Sequence, residues 1–244
     1  MEPSYRRFAL ACVLGLACPP AAFAQADYSL QNREWETSVS VGASVVRDFS
    51  FPTRVSGNGA ETSRTVGVHY ANGYQVSWWI TQNLSDYWTA ELGYIFANQP
   101  LRFSNLSPDV ESLSLSQYVH NMPYSVSFNP VPLYKRFRPY GTAGVGLSLF
   151  HIPEASKNDA LDQGIPLRDS WHFGLHWGGG FKYLVRDQFV VRMDVLDYMT
   201  PVPSYGLPSS AKVVNGQYQP GIGRNGWLNQ WQFSWGLAFQ WDEP

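Results

Sequence analysis

Large apolar residues alternate with small or polar residues along much of the chain, most clearly at its end. Between 231 and 241 every odd position is large and apolar, and every even position is Gln, Ser, Gly or Ala. Successive side chains of a β-strand point to opposite faces, so this pattern predicts a strand with one continuous apolar face. Such a strand is typical of a membrane barrel, in which the apolar face contacts lipid and the polar face lines the lumen.

Seven earlier segments share this period of two, which makes eight predicted strands. The eight segments are 35–46, 66–80, 87–97, 118–134, 142–149, 172–183, 189–198 and 231–241. The fourth is the least regular, because Pro123 has no backbone donor for a ladder and Pro130 and Pro132 crowd its end. An even strand number fits a closed antiparallel barrel. We therefore predict an all-β fold, an eight-stranded antiparallel up-and-down transmembrane β-barrel.

The connections between these strands alternate in length. The short ones are 82–86, 135–138 and 185–188, and the long ones are 47–65, 98–117, 151–171 and 200–228. Short turns on one rim and long loops on the other are typical of the periplasmic and external sides of an outer-membrane barrel. Both termini are then periplasmic. The long loops hold most of the Pro, Asn and Ser, so we expect them to be mobile and to lie outside the core.

Aromatic residues recur near the ends of the predicted strands. On the short-turn rim these are Trp35, Trp78, Trp88, Tyr134, Tyr140, Tyr183 and Trp241, and on the loop rim Tyr70, Phe96, Tyr118, Phe173, Tyr198 and Trp231. Amphipathic rings prefer the headgroup level of a bilayer, so this distribution predicts two aromatic girdles. The alternative fold is a soluble, lipocalin-like barrel, which needs its large apolar residues inside.

The first residues of the chain resemble a secretory signal. Arg6 and Arg7 precede the apolar run 8–17, and Ala22 and Ala24 form a small-x-small cleavage site. We predict a signal peptide at 1–24 that is cleaved after Ala24. A periplasmic lead at 25–34, the barrel at 35–241 and a C-terminal extension at 242–244 follow. Lipidation of Cys18 is the alternative.

Composition narrows the functional classes. Cys12 and Cys18 both lie in the predicted signal peptide, so the mature chain has no thiol for a disulfide or a cysteine metal site. The net charge is −2, and no run of basic residues suggests nucleic-acid binding. The mean hydropathy of −0.24 beside 16% aromatic residues suits strands that are apolar at every second position.

Two stretches resemble the small outer-membrane barrels of the OmpA/OmpX type. The run Arg-Pro-Tyr-Gly-Thr-Ala-Gly-Val-Gly at 138–146 is similar to their fifth strand, and 173–180 with Arg192 and Asp194 is similar to their sixth and seventh. The resemblance implies a monomer in the cell outer membrane, in contact with lipid and lipopolysaccharide. The barrel-assembly machinery inserts such proteins by reading a terminal aromatic residue, here predicted to be Trp241 with Phe239 nearby. The ligand of the external loops is left open.

Several ionisable residues fall on the predicted lumen face. They are Glu36, Glu91, Lys182, Arg192 and Asp194, together with His69 and His176. Charges inside a narrow barrel are costly unless they are paired, and eight strands leave an interior that side chains nearly fill. We therefore predict a lumenal salt-bridge network that plugs the barrel, with Glu91, Lys182 and Arg192 clustered in the periplasmic half. A narrow ion path is the alternative.

An enzymatic role is an alternative, because the small outer-membrane barrels that the chain resembles include lipid A deacylases and palmitoyltransferases. Hydrolysis of this kind needs a Ser activated by a His that an acid orients. The nearest candidates are His120 with Ser116 or Ser125, and His151 with Ser148, all at generic spacings. His172 and His176 are about 13 Å apart along a strand, too far to share a metal ion. We therefore predict no catalytic, cofactor or metal site, and favour a structural or surface-interaction role over a lipid A-modifying enzyme or a channel.

Overall fold

The computed structural model describes residues 33–57, 60–107, 110–186, 188–214, 217–223 and 226–242. The predicted signal peptide, its cleavage site at Ala24 and most of the predicted lead lie outside these residues. The elements in chain order are β1 (Trp35–Val46), β2 (Phe49–Gly57), β3 (Ala60–Tyr70), β4 (Gly73–Asn83), β5 (Trp88–Asn98), β6 (Leu101–Ser107), β7 (Val110–Leu115), β8 (Tyr118–Phe128), β9 (Phe137–His151), α1 (Glu154–Asp162), β10 (Ser170–Arg186), β11 (Phe189–Pro201), β12 (Ala211–Val214), β13 (Gln217–Gln219) and β14 (Trp227–Trp241).

Eight of these strands close into a barrel in the order β1-β14-β11-β10-β9-β8-β5-β4. Every neighbouring pair is antiparallel, and β1 completes the ring by pairing with both β14 and β4. Each predicted strand corresponds to one of these eight, so the predicted fold class is confirmed. The described residues contain no helix that is long and apolar enough to cross a membrane.

The two faces of the barrel wall have opposite character. Trp235 and Leu237 on β14 point outward and are 60% and 61% exposed. Their neighbours in the chain, Ser234 and Ala238, point inward and are buried. A soluble barrel would place its large apolar residues inside. The observed orientation therefore excludes the lipocalin-like alternative.

Two predicted strand limits were wrong by six residues or more. The predicted strand 66–80 is two strands, because the chain turns at 71–72 between β3 and β4. The turn is fixed by the Ala71 N–H, which donates to the Pro100 carbonyl at 2.8 Å. The fourth predicted strand ends at Phe128 rather than 134, before the prolines that follow. Pro123 does lie inside β8, and no Pro123 pair occurs in the ladder to β5.

The prediction that the long connections lie outside the core was also wrong, whereas their mobility stays a prediction. Three of them pair into a second, six-stranded sheet in the order β13-β12-β2-β3-β6-β7, which we call the outer sheet. The third long connection contains α1. The larger hydrophobic cluster of the described residues lies mainly here and includes Val68, Leu101, Phe103, Leu113 and Tyr205. The composition of these connections did not predict this core, because its apolar residues are spread over segments far apart in the chain.

Three aromatics assigned to the girdles are buried instead of lying on the lipid-facing wall. Tyr70 lies in β3 of the outer sheet, and Tyr140 and Tyr198 point into the barrel lumen. Tyr140 and Tyr198 have the parity of the inward residues Thr142 and Asp194, so position near a strand end was a weaker guide than alternation. Other members of the two predicted sets, including Trp78, Trp88, Phe173 and Trp231, are exposed on the outer wall.

Candidate functional site: the charged lumen

The five charged residues predicted for the lumen lie together near the short-turn end of the barrel. Glu36 is the second residue of β1, Glu91 lies near the start of β5, Lys182 near the end of β10, and Arg192 and Asp194 near the start of β11. All five are at most 3% exposed. We call this set the charge network.

Arg192 joins the two sides of the charge network. Its Nη1 and Nη2 donate to the two carboxylate oxygens of Glu91 at 2.9 and 3.1 Å. Its Nε donates to both oxygens of Asp194, at 3.0 and 2.9 Å. A guanidinium suits this role because it presents several donors in one plane and can bind a carboxylate through two parallel hydrogen bonds. One side chain thus neutralises two buried carboxylates.

Lys182 extends the charge network to β1. Its Nζ lies 2.7 Å from Glu36 Oε1 and 3.2 Å from Glu91 Oε1. Gln240 Nε2 donates to the other oxygen of Glu36 at 2.7 Å, and Thr81 Oγ1 donates to Glu91 at 3.1 Å. Hydrogen bonds of this kind satisfy the lone pairs that a salt bridge leaves over, which is the condition under which a buried charge is tolerated.

Aromatic rings complete the wall around the cations. The Arg192 guanidinium carbon is 5.2 Å from the ring centroid of Trp79 and 5.5 Å from that of Tyr140. The Tyr140 hydroxyl donates to Asp194. Trp79 is 1% exposed and fills the lumen beside Gly93, where an added Cβ would lie 2.5 Å from the indole ring. Glycine at 93 therefore makes room for the Trp79 side chain.

Sequence reasoning missed three lumenal side chains: Trp79, Arg138 and Tyr140. Arg138 is 1% exposed, and its Nη1 donates to the Leu133 carbonyl at 3.1 Å. Each of the three has the parity of an inward residue already identified on its strand, as Trp79 has that of Ser77. Alternation was therefore the signal that could have found them. With Arg138, the buried acids Glu36, Glu91 and Asp194 face three cations in this part of the described lumen.

A second polar crossing lies closer to the loops. Ser148 Oγ donates to Asn121 at 2.6 Å, and Asn121 Nδ2 donates to Gln230 at 3.1 Å. Gln230 Nε2 in turn donates to Ser44 at 2.9 Å and to Gln99 at 3.1 Å. These five residues come from different sides of the barrel and its rim, so their side chains cross the lumen rather than line it.

A third crossing joins the outer sheet to the barrel rim. The Tyr205 hydroxyl donates to Gln117 Oε1 at 2.8 Å and lies 3.1 Å from the Tyr70 hydroxyl. Burial raises the pKa of both Tyr70 and Tyr205 above the ordinary value of a phenol, because the charged form would lose its hydration. Both hydroxyl groups therefore stay protonated and can donate.

The two histidines predicted for the lumen lie in different places. His176 is inside the barrel, where its ring stacks on Tyr198 with centroids 5.0 Å apart. The assignment of His69 was wrong, because its strand belongs to the outer sheet rather than to the barrel. His69 is exposed, and its Nδ1 lies 3.0 Å from Asp48 Oδ2.

None of the predicted Ser–His candidates forms a pair. His120 Nδ1 lies 2.6 Å from the Tyr94 hydroxyl, and His151 Nδ1 lies 2.8 Å from Asp169. The structure instead brings Ser170 Oγ to within 2.8 Å of His172 Nε2, a pair that was not predicted. In the described ranges, no group of three or more His, Cys, Asp or Glu side chains is placed to hold a metal ion.

The outer sheet carries an open groove of about 570 Å³ beside α1. His69, Arg102 and Asp159 line it together with small polar and apolar side chains. Such a concave surface with a few charged groups has the general form of a ligand contact site.

Comparison with known proteins places this architecture in a family. The family model described as outer membrane protein beta-barrel domain matches residues 8–239. No curated protein sequence matches the chain significantly. Among solved structures, OprG from Pseudomonas aeruginosa is similar with a TM-score of 0.57 at 17% identity, over 88% of this chain and 100% of OprG.

Two other solved barrels are similar at lower scores. The N-terminal barrel domain of Pseudomonas aeruginosa OprF has a TM-score of 0.41 at 13% identity, over 86% of this chain and 98% of that domain. Neisserial surface protein A has a TM-score of 0.44 at 11% identity, over 85% of this chain and 96% of its own. Because the family model spans nearly the whole sequence, the chain belongs to the outer membrane protein β-barrel family, and its location is the cell outer membrane.

Proposed function

We propose that this protein is a plugged, non-conducting outer-membrane barrel that presents its outer sheet as an interaction surface. The observation that carries the first part is the charge network, in which Arg192 binds Glu91 and Asp194 across the lumen. An eight-stranded barrel is barely wide enough for its own side chains. Trp79 and Tyr140 occupy the remaining space beside the cations.

The proposal of an interaction surface rests on the regular structure of the external segments. A six-stranded sheet with its own hydrophobic cluster holds the exposed side chains in fixed positions, which lowers the entropic cost of binding a partner. The groove lined by His69, Arg102 and Asp159 is a concave part of that surface. A channel or a lipid A-modifying enzyme remains the alternative role.

Planar-bilayer recording of the pure protein tests the plug. We expect no large, stable conductance from the wild type. The double variant Glu91→Ala with Arg192→Ala removes one acid and one base, so the net charge of the lumen is unchanged. Asp194 loses its cation but keeps the hydrogen bonds from Tyr140 and Ser234, and ion-conducting openings should appear. Ser127→Ala, which changes another inward residue of the same lumen, is the matched control and should stay closed. Large, stable openings of the wild type would overturn the proposal.

A further inference from the structure

Asp197 is an ionisable residue on the largely apolar outer wall of the barrel. Its neighbours in the chain, Leu196 and Tyr198, point into the lumen, so Asp197 points outward with Val195. In the described barrel strands, two outward positions hold an Asp, Glu, Lys or Arg residue. They are Asp197 and Arg186, and Arg186 lies where β10 enters its turn. An ionisable residue on the lipid-facing wall is costly and marks a functional site by default.

Two tryptophans flank the carboxylate. In the register of the sheet Asp197 pairs with Trp177 of β10 on one side and with Trp231 of β14 on the other. The two indole rings are 6.0 Å apart between centroids, at 74° to each other. Trp177 is 50% exposed, whereas Asp197 is only 1% exposed. The carboxylate thus lies in a recess beneath two exposed aromatic rings.

Among the residues that the structure describes, one oxygen of Asp197 has a partner and the other has none. Asn229 Nδ2 donates to Oδ2 at 2.7 Å. The other oxygen, Oδ1, is buried and accepts no hydrogen bond from any residue that the structure describes. A buried carboxylate oxygen without a donor is expensive, so a donor from outside the chain would stabilise it.

The height of Asp197 places it near the external boundary of the bilayer. Eight residues separate it from Phe189 at the start of β11, which is about 27 Å along a strand. With the usual strand tilt this corresponds to roughly 20 Å above the short-turn rim, near the upper edge of an apolar band about 25 Å tall. Lipid headgroups lie at that level.

We propose that Asp197, Asn229, Trp177 and Trp231 form a binding site for the ammonium group of a membrane lipid. The carboxylate supplies the opposite charge and a free acceptor, and indole faces attract cations through their ring quadrupole. The carboxylate lies beside two lipid-facing rings on the outer wall, so its occupant comes from the bilayer. This site lies on the opposite side of the wall from the charge network and does not depend on the lumen being closed.

Lipid retention in a mixed bilayer tests the site. The full chain is reconstituted in nanodiscs with equal amounts of phosphatidylethanolamine, which carries an ammonium group, and phosphatidylglycerol, which does not. Native mass spectrometry then counts the lipids that stay bound. We expect the wild type to retain phosphatidylethanolamine over phosphatidylglycerol by about tenfold. Asp197→Asn, which keeps the side-chain shape, should bring this ratio close to one.

Two further variants distinguish recognition from folding. Trp177→Leu retains the carboxylate and should lower the preference for phosphatidylethanolamine several-fold. Asp169→Asn removes a carboxylate from the loop just before β10 and should leave the preference unchanged. Heat-modifiable gel mobility shows which variants are folded. If Asp197→Asn does not fold, the lipid ratios of the wild type and of Trp177→Leu test the proposal. A wild type without preference, or a folded Asp197→Asn that keeps it, overturns the proposal.

Discussion

At the scale of single residues, the lumen shows how a narrow barrel tolerates charge. Arg192 satisfies Glu91 and Asp194 at once, and Lys182 satisfies Glu36 and Glu91. Buried ion pairs are stable only when each charge is met and its remaining lone pairs are hydrogen-bonded. The charge network meets that condition through the side chains that surround it, so each of its members depends on the others.

Removing Arg192 alone should therefore be strongly destabilising. Arg192→Ala leaves Glu91 and Asp194 buried without their shared cation, and we expect a loss of about 3–5 kcal/mol in the free energy of unfolding. Urea titration in lipid vesicles, followed by tryptophan fluorescence, measures it. Arg102→Ala removes an exposed Arg of the outer sheet and should change the free energy by less than about 0.5 kcal/mol. Equal stabilities of the two variants would contradict the expectation.

The environment of Asp169, in the loop just before β10, predicts that the stability of the protein depends on pH. Burial raises the pKa of Asp169, but hydrogen bonds from His151, the Ile152 N–H and Lys157 outweigh it, so the pKa is below its ordinary value of 3.8. A lowered carboxyl pKa contributes stability that is present above the ordinary value and is lost as the pH falls through the folded-state value. The stability difference between wild type and Asp169→Asn should thus be smaller at about pH 3 than at about pH 7. A difference of equal size at both pH values would refute this account.

At the scale of elements, alternation predicted the barrel strands well. It fails where an inward residue is large and aromatic, as with Trp79, because size then suggests the lipid face although parity indicates the lumen. It also cannot separate β3 from β4, since the period continues through the turn that leads from the outer sheet into the barrel. The outer sheet was missed because its pairings join distant connections, and local composition carries no information about such partners.

The last strand supports a prediction about assembly. Trp241 ends β14, and its ring is stacked near Phe239 with centroids 6.3 Å apart. If Trp241 is the aromatic residue that the insertion machinery reads, Trp241→Ala should reduce the folded fraction in cells several-fold, measured by heat-modifiable mobility. Trp235→Ala removes an equally large outward ring from the middle of the same strand and serves as the control. Assembly of Trp241→Ala at the wild-type level would show that the residue is not read.

At the scale of the whole molecule, the barrel and its external part form one continuous structure. Hydrogen bonds from Tyr205 to Gln117, and from the Ala71 N–H to the Pro100 carbonyl, connect the outer sheet with the segments that enter the barrel. The site residues of the lumen could be predicted from charge and parity. Their mutual distances could not, because they depend on the stagger between strands, which only the closed barrel defines.

The first and last barrel strands, β1 and β14, pair with each other, and further contacts hold them together at both ends of this pairing. On one side Arg33 Nη1 lies 2.8 Å from Asp242, and Gln240 donates to Glu36. On the other, β12 pairs in parallel with β2, which directly follows β1 in the chain. Closing the ring between β1 and β14 therefore also brings together the ion pair at the short-turn rim and the strands that complete the outer sheet.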